Sequence, residues 1–214
     1  MLIDCGATSL TALKRAGVEP NEIGWVVLSH LHGDHFGGLP FLILDGQFRR
    51  RELPLVVSGP PSTRARVEAA MEILFPGSVA GRRRFETRFV ELEPWKRTAV
   101  GPVVVTAVAV EQPDTPASAL RVEYGGAVVA YSGDTAWTDE LVELVRGADL
   151  FVAEAYFFER QVPYHLDYAT LRARADSLEC RRIVLTHMSP DMLARQDEAE
   201  LECAYDGLVV EVER

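Results

Sequence analysis

Residues 29–38 read Ser29-His30-Leu31-His32-Gly33-Asp34-His35-Phe36-Gly37-Gly38, and they directly follow the apolar run Trp25–Leu28. Four side chains able to bind a metal, His30, His32, Asp34 and His35, fall within six residues. Imidazole nitrogen and carboxylate oxygen suit zinc and similar divalent ions, and a loop at a strand end can turn successive side chains toward one point. Gly33 is expected to let the backbone turn tightly enough to do this. Core or surface histidines that bind nothing rarely cluster in this way.

Two later segments repeat the pattern of a polar group just after an apolar strand. The first is Tyr131-Ser132-Gly133-Asp134-Thr135 after Ala127–Ala130, and the second is Leu185-Thr186-His187-Met188 after Arg181–Val184. Alone, Asp134 reads as a turn former and His187 as a satisfied polar side chain. Beside the first cluster they read as ligands, because a strand-end carboxylate can bridge two cations and a histidine can complete the second coordination sphere.

Around these segments, apolar runs alternate with turn signals from end to end, without a repeat, low-complexity tract or linker, so residues 1–214 are read as a single domain. Strand patterns mark Trp25–Leu28, Leu55–Ser58, Val103–Val110, Ala119–Tyr124, Val128–Ser132, Leu150–Ala153 and Ile183–Thr186. Helical periodicity marks Ser9–Ala16, Ser62–Leu74, Asp139–Val145, Tyr168–Ser177 and Asp191–Glu202. Gly125-Gly126 reads as a two-residue hairpin turn. The mixture predicts an α/β (α+β) class of sheets covered by helices rather than an all-β sandwich.

An apolar fraction of 48% over 214 residues can fill a substantial core. No run of about twenty apolar residues is present to span a bilayer, and residues 1–6 lack a signal-peptide pattern, so no membrane partner and a cytoplasmic location are expected. Cys5, Cys180 and Cys203 are scattered and without CxxC spacing, which speaks for buried thiols rather than disulfides or thiolate zinc sites. Lysine and arginine number 22 against 32 acidic residues, a net charge of −10 that opposes non-specific adhesion to a polyanion. Two arginine runs, Arg49–Arg51 and Arg82–Arg84, with Arg64 and Arg66 between them, are read as solvated loop charges in preference to a phosphate-binding patch.

The run His30-x-His32-x-Asp34-His35 resembles the HxHxDH signature of the metallo-β-lactamase superfamily. Asp4, in Leu2-Ile3-Asp4-Cys5-Gly6, is similar to that family's first motif, an acid that orients the metal loop; Asp134 matches its bridging acid and His187 its last ligand. The resemblance covers essentially the whole chain and implies a four-layer αββα sandwich holding two divalent ions, zinc in the first instance, with manganese or iron as alternatives. Within the superfamily the chain looks most similar to ribonuclease Z and its phosphodiesterase relatives. They share a segment like Ser29–Gly38, an SGDT segment like Ser132–Thr135, and an acid and histidine resembling Glu154 and His165. That likeness implies a metal-dependent phosphodiesterase in which a hydroxide bridging the ions attacks phosphorus, Asp34 serves the catalytic centre, and His165 protonates the leaving group with Glu154 behind it. A capping or surface role is the less favoured reading of His165.

Two departures from the pattern stand out. The family's histidine between the first cluster and SGDT is missing: the comparable stretch reads Val110-Glu111-Gln112-Pro113-Asp114, and all five histidines are already placed. The ion at His30 and His32 is therefore expected to bind weakly unless Glu111 or Gln112 turns inward. Relatives also carry initial strands before the segment resembling Leu2–Gly6, and a sheet edge left bare would invite a homodimer. The expected substrate is a small phosphodiester or RNA. Hydrolysis of a thioester, ester or lactone is the alternative within enzymes, since the same nucleophile attacks carbonyl carbon. A non-catalytic, metal- or ligand-binding relative is the alternative of another class.

Overall fold

Every strand expected from the apolar runs forms. The computed structural model describes residues 1–212 and divides the chain into two compact units, Met1–Glu93 and Pro94–Arg214.

The first unit carries a four-stranded sheet in the order β1 (Leu2–Ile3), β2 (Trp25–Val27), β3 (Leu55–Gly59) and β4 (Thr87–Glu91). All three pairings are parallel. Parallel neighbours need long crossovers, and these supply α1 (Ser9–Arg15), then α2 (Gly33–Phe36) and α3 (Leu39–Phe48), then α4 (Thr63–Leu74). The core sets Val26, Leu28, Leu55 and Val57 against Leu39 and Ile43 of α3 and Val67 and Met71 of α4, all nearly inaccessible. Each such side chain contributes about 1.5–3 kcal/mol by leaving water.

The arginines of this unit depart from the expected solvated loops most fully at Arg51, while Arg83 is partly buried and donates to Ser78 O. Arg51 is buried, and its guanidinium donates to the carbonyls of Pro20, Ile23, Leu53 and Pro54. Five fixed donors make arginine suited to satisfying several loop carbonyls at once, so this member of the run holds loops together. Arg49, by contrast, pairs with Glu19 near the surface.

The second unit carries a seven-stranded sheet in the order β11-β10-β9-β8-β7-β6-β5. Its strands are β5 (Thr98–Val100), β6 (Val103–Val110), β7 (Ala117–Tyr124), β8 (Ala127–Tyr131), β9 (Leu150–Glu154), β10 (Ile183–Thr186) and β11 (Glu202–Cys203). The pairings from β5 to β8 are antiparallel and those from β8 to β11 parallel. Gly125 and Gly126, both at positive φ, close the β7–β8 hairpin, as a two-residue turn of this hand requires. Helices α5 (Glu140–Val145), α6 (Tyr168–Arg174) and α7 (Pro190–Ala194) complete the unit. Phe151, Ala153, Leu166, Leu171, Leu185 and Met192 are at the centre of its core.

The helix expected over Asp191–Glu202 is shorter: α7 stops at Ala194, a single 3-10 turn follows at Gln196–Glu198, and Glu202 enters β11 beside β10. From Gln196 to Glu200 Ala199 is the one apolar residue, too little for a face to continue the helix, whereas Leu201 and Cys203 pack onto the sheet core with it. Helices and two sheets are the ingredients that the αββα reading demands. Among the described residues no helix is long and apolar enough to cross a membrane.

Candidate metal centre

In the first unit the ligand loop is shaped by contact with the end of β1. Asp4 N donates to Val27 O, Cys5 N to His35 O at 2.6 Å, and Gly38 N to Cys5 O at 2.8 Å. A Cβ on Gly6 would stand 2.1 Å from the carbonyl oxygen of Asp34, and one on Gly38 would stand 2.1 Å from the carbonyl oxygen of Gly6. These two glycines, not Gly33, permit the close approach. Gly33 has neither a positive φ nor any neighbour within 4 Å of its would-be Cβ.

The same geometry assigns tautomers. Asp4, in the left-handed region at φ 56, takes Ser29 N on Oδ1 at 2.7 Å and Ser29 Oγ on Oδ2 at 2.8 Å. His35 Nδ1 lies 2.7 Å from the same Oδ2. A carboxylate only accepts, so His35 carries its proton on Nδ1 and keeps a lone pair on Nε2, which stands 3.5 Å from Asp34 Oδ2. Because the Ser29 hydroxyl hydrogen goes to Asp4, its oxygen accepts from His30 Nδ1 at 3.1 Å, and His30 too is left with a lone pair on Nε2. That atom faces His32 Nδ1 at 2.9 Å. Two donors about 2.1 Å from one ion stand roughly 3 to 3.4 Å apart, and these pairs, at 2.9 and 3.5 Å, lie just either side of the spacing of neighbouring ligands. Ser29, Asp4's intermediary, carries no signal in the sequence beyond its place before His30.

In the second unit one buried acid organises the site. Glu154, at the end of β9 and fully buried, receives His165 Nδ1 at 2.5 Å and His187 Nδ1 at 2.8 Å on Oε1. Its Oε2 receives Thr135 N at 3.0 Å and Leu166 N at 3.1 Å. Four donors compensate the burial of this charge. Asp134 is also buried, with Oδ1 3.2 Å from His187 Nδ1 and Oδ2 4.0 Å from His165 Nδ1. Ligand-capable atoms of Asp134, Glu154, His165 and His187 all lie within 4.8 Å of one another. His165 is held above its ordinary range by the Glu154 hydrogen bond, against an opposing contribution from burial. The Tyr156 ring stacks on His165 with centroids 4.7 Å apart.

The position expected to supply a replacement ligand holds Gln112, whose Nε2 donates to the carbonyl oxygens of Asp134 at 2.9 Å and Tyr164 at 3.1 Å. Glu111 is exposed. Cys5 is buried, and burial with Asp4 nearby pushes its thiol up to about 12, so it offers no thiolate.

A family model for the beta-lactamase superfamily domain matches residues 1–188, a span that includes Asp4 and runs to just past His187. The chain belongs to the metallo-β-lactamase superfamily. It is 32% identical to an uncharacterized protein of Mycobacterium leprae, covering 98% of this chain and 74% of that one. It is 25% identical to the ribonuclease Z of Geobacillus kaustophilus, covering 96% of this chain and 82% of the relative. The fold matches that of the short form of human tRNase Z with a TM-score of 0.80 at 24% identity, over 99% of this chain and 88% of that structure. Membership accounts for the two-sheet architecture, and the named relatives place this superfamily member in a ribonuclease Z-like relation.

Proposed function

We propose that the chain is a divalent-metal-dependent phosphodiesterase. His30, His32, Asp34, His35, Asp134 and His187 hold two ions, zinc in the first instance, and His165 with Glu154 serves the leaving group. The observation that carries this reading is the tautomer pattern: Asp4 and Ser29 engage Nδ1 of His35 and His30, which leaves a lone pair on Nε2 of each ring. The donor set fits the group, because imidazole nitrogens and carboxylates at polyhedron-edge spacings are what zinc, manganese and iron take.

Bound cations supply Lewis acidity toward phosphoryl oxygens and acidify water at neutral pH. Everything else falls to side chains. As water oxygen joins phosphorus and the bond to the leaving group breaks, the departing oxygen needs a proton. His165 Nε2 provides it, since Nδ1 is held by Glu154 and the ring's affinity for its proton is raised. Tyr156 fixes the plane of that ring by stacking on it. The sequence relation to ribonuclease Z supports phosphorus rather than carbonyl carbon as the centre attacked, and the net charge of −10 favours a small phosphodiester over a long polyanion.

The test is turnover of bis(p-nitrophenyl) phosphate beside a thioester and a lactone, before and after chelation and on restoring zinc or manganese. Phosphodiester cleavage that vanishes on chelation and returns with metal is expected. Faster thioester or lactone turnover, or a phosphodiester rate untouched by chelation, overturns the reading.

A further inference from the structure

Gln112 sits in the loop between β6 and β7, yet its amide reaches two other loops of the same sheet. One is the Ser132–Thr135 turn after β8 and the other is the Tyr164–His165 turn before α6. Both acceptors are backbone carbonyl oxygens, which cannot donate, so the amide nitrogen must face them and both of its hydrogens are engaged. The two carbonyls belong to residues 22 and 52 positions away, at Asp134 and beside His165. On its other side the Tyr164–His165 turn is tied to Glu154 through His165 Nδ1 and Leu166 N. Tyr164 itself is in the left-handed region at φ 66, a conformation that persists in a non-glycine residue only when its surroundings enforce it.

Neither a histidine nor a glutamate does the same work. A histidine offers one N–H on each ring nitrogen and cannot give two hydrogens from one atom, while a glutamate has none to give and would set its oxygens against two carbonyls.

We propose that Gln112 is a positioning residue: its amide latches the Asp134 loop to the Tyr164–His165 turn, so that the proton donor is held in register with the acid that faces the cations. This rests on the phosphodiesterase reading for its kinetic consequence but not for its structural one. A latch of this kind matters most where His165 matters most, with a leaving group that cannot depart unprotonated.

The experiment compares wild type with Gln112→Glu, which keeps the shape and removes both donors, and with Gln112→Met, which removes the donors without adding charge. Each is assayed on a p-nitrophenyl diester and on an alkyl diester, with metal content measured on the same preparations and hydrogen exchange followed at residues 132–136 and 163–166. The latch predicts unchanged metal content and faster exchange at both segments in both variants. It also predicts a fall in kcat of about 10²-fold for the alkyl diester, the scale of an ångström misplacement, and of well under tenfold for the p-nitrophenyl diester. Loss of metal in proportion to rate makes Gln112 a ligand and overturns the proposal, and so does an equal loss on both leaving groups. If wild type turns over neither diester, the phosphodiesterase reading fails by itself. Exchange at the two segments then decides the latch alone: unchanged protection overturns it, and loss confined to them sustains it.

Discussion

Replacing Asp4 with asparagine isolates one carboxylate oxygen. The side chain keeps its volume, and asparagine tolerates the left-handed φ of 56 at this position. Asp4 accepts three donors: Ser29 N at 2.7 Å, Ser29 Oγ at 2.8 Å and His35 Nδ1 at 2.7 Å. The amide has one oxygen. If that oxygen stays with Ser29 N, the NH2 group meets His35, and the ring must accept on Nδ1 and carry its proton on Nε2, the atom assigned to the metal. If the amide flips, His35 keeps its tautomer but NH2 faces the buried N–H of Ser29, which loses its partner. Either arrangement gives up one charge-assisted hydrogen bond, about 1.5–3 kcal/mol. In the first arrangement, at about 1.4 kcal/mol per tenfold in affinity, zinc binding weakens roughly 10- to 100-fold, the range typical for partners that orient metal-binding histidines; in the second the cost falls on folding stability. A competition titration against a chromophoric chelator measures it, with urea unfolding of the metal-free protein as the control for general damage. Affinity within twofold of wild type together with an unchanged urea midpoint of the metal-free protein refutes the tautomer argument, and with it the claim that Asp4 and Ser29 aim the rings.

Two further outcomes test the same frame from other sides. Gly38→Ala puts a methyl 2.1 Å from Gly6 O and 2.9 Å from Cys5 O; the backbone must part by about an ångström, costing roughly 1–3 kcal/mol in urea unfolding and weakening metal affinity with it, and an unaltered midpoint would show that the loops are not interlocked. For His165 the acidic form is the proton donor and its pKa is raised above 6.5, so kcat for an alkyl diester should hold below that value and fall as pH rises through the raised one; His165→Ala should abolish this basic limb, and a limb that survives the substitution assigns it to another group.

The candidate ligand positions were legible because His30, Asp134 and His187 each follow an apolar strand closely, with His32, Asp34 and His35 in the loop and short helix after the first of them, and the strands are marked by β-branched runs that tertiary context had no reason to override. The shared role of Glu154 was half visible: its partner His165 was expected, but the hydrogen bond to His187, 33 residues away, depends on β9 and β10 pairing in register. Helix α3, Leu39-Pro40-Phe41-Leu42-Ile43-Leu44-Asp45-Gly46-Gln47-Phe48, was not called because it is apolar on nearly every face, so the 3.6-residue period that marks a half-exposed helix is absent. Strands β4 and β5 are short, and β4 alternates weakly between half-buried and exposed positions. Gly33 was credited with a turn that Gly6 and Gly38 perform, because close approach between segments 32 residues apart leaves no local trace.

Both units solve one problem in one way. An imidazole is useful as a ligand only if its outward nitrogen is bare, and as an acid only if that nitrogen is protonated, while water leaves the two tautomers of the ring nearly equal. Asp4 settles the matter for His35 directly and for His30 through the Ser29 hydroxyl; Glu154 settles it for His165 and His187 together by taking both Nδ1 protons on one oxygen. Anchored this way, all four rings project Nε2, and His32, which presents Nδ1 to His30, is the exception. The division between ligand and acid then follows from what stands in front of Nε2. Under the proposed function a bound cation would exclude the second proton from His187, and a departing oxygen would invite it from His165. Glu154 serves both rings without favouring either role, so its replacement by glutamine should damage metal affinity and proton transfer at once, whereas loss of His165 should spare the first.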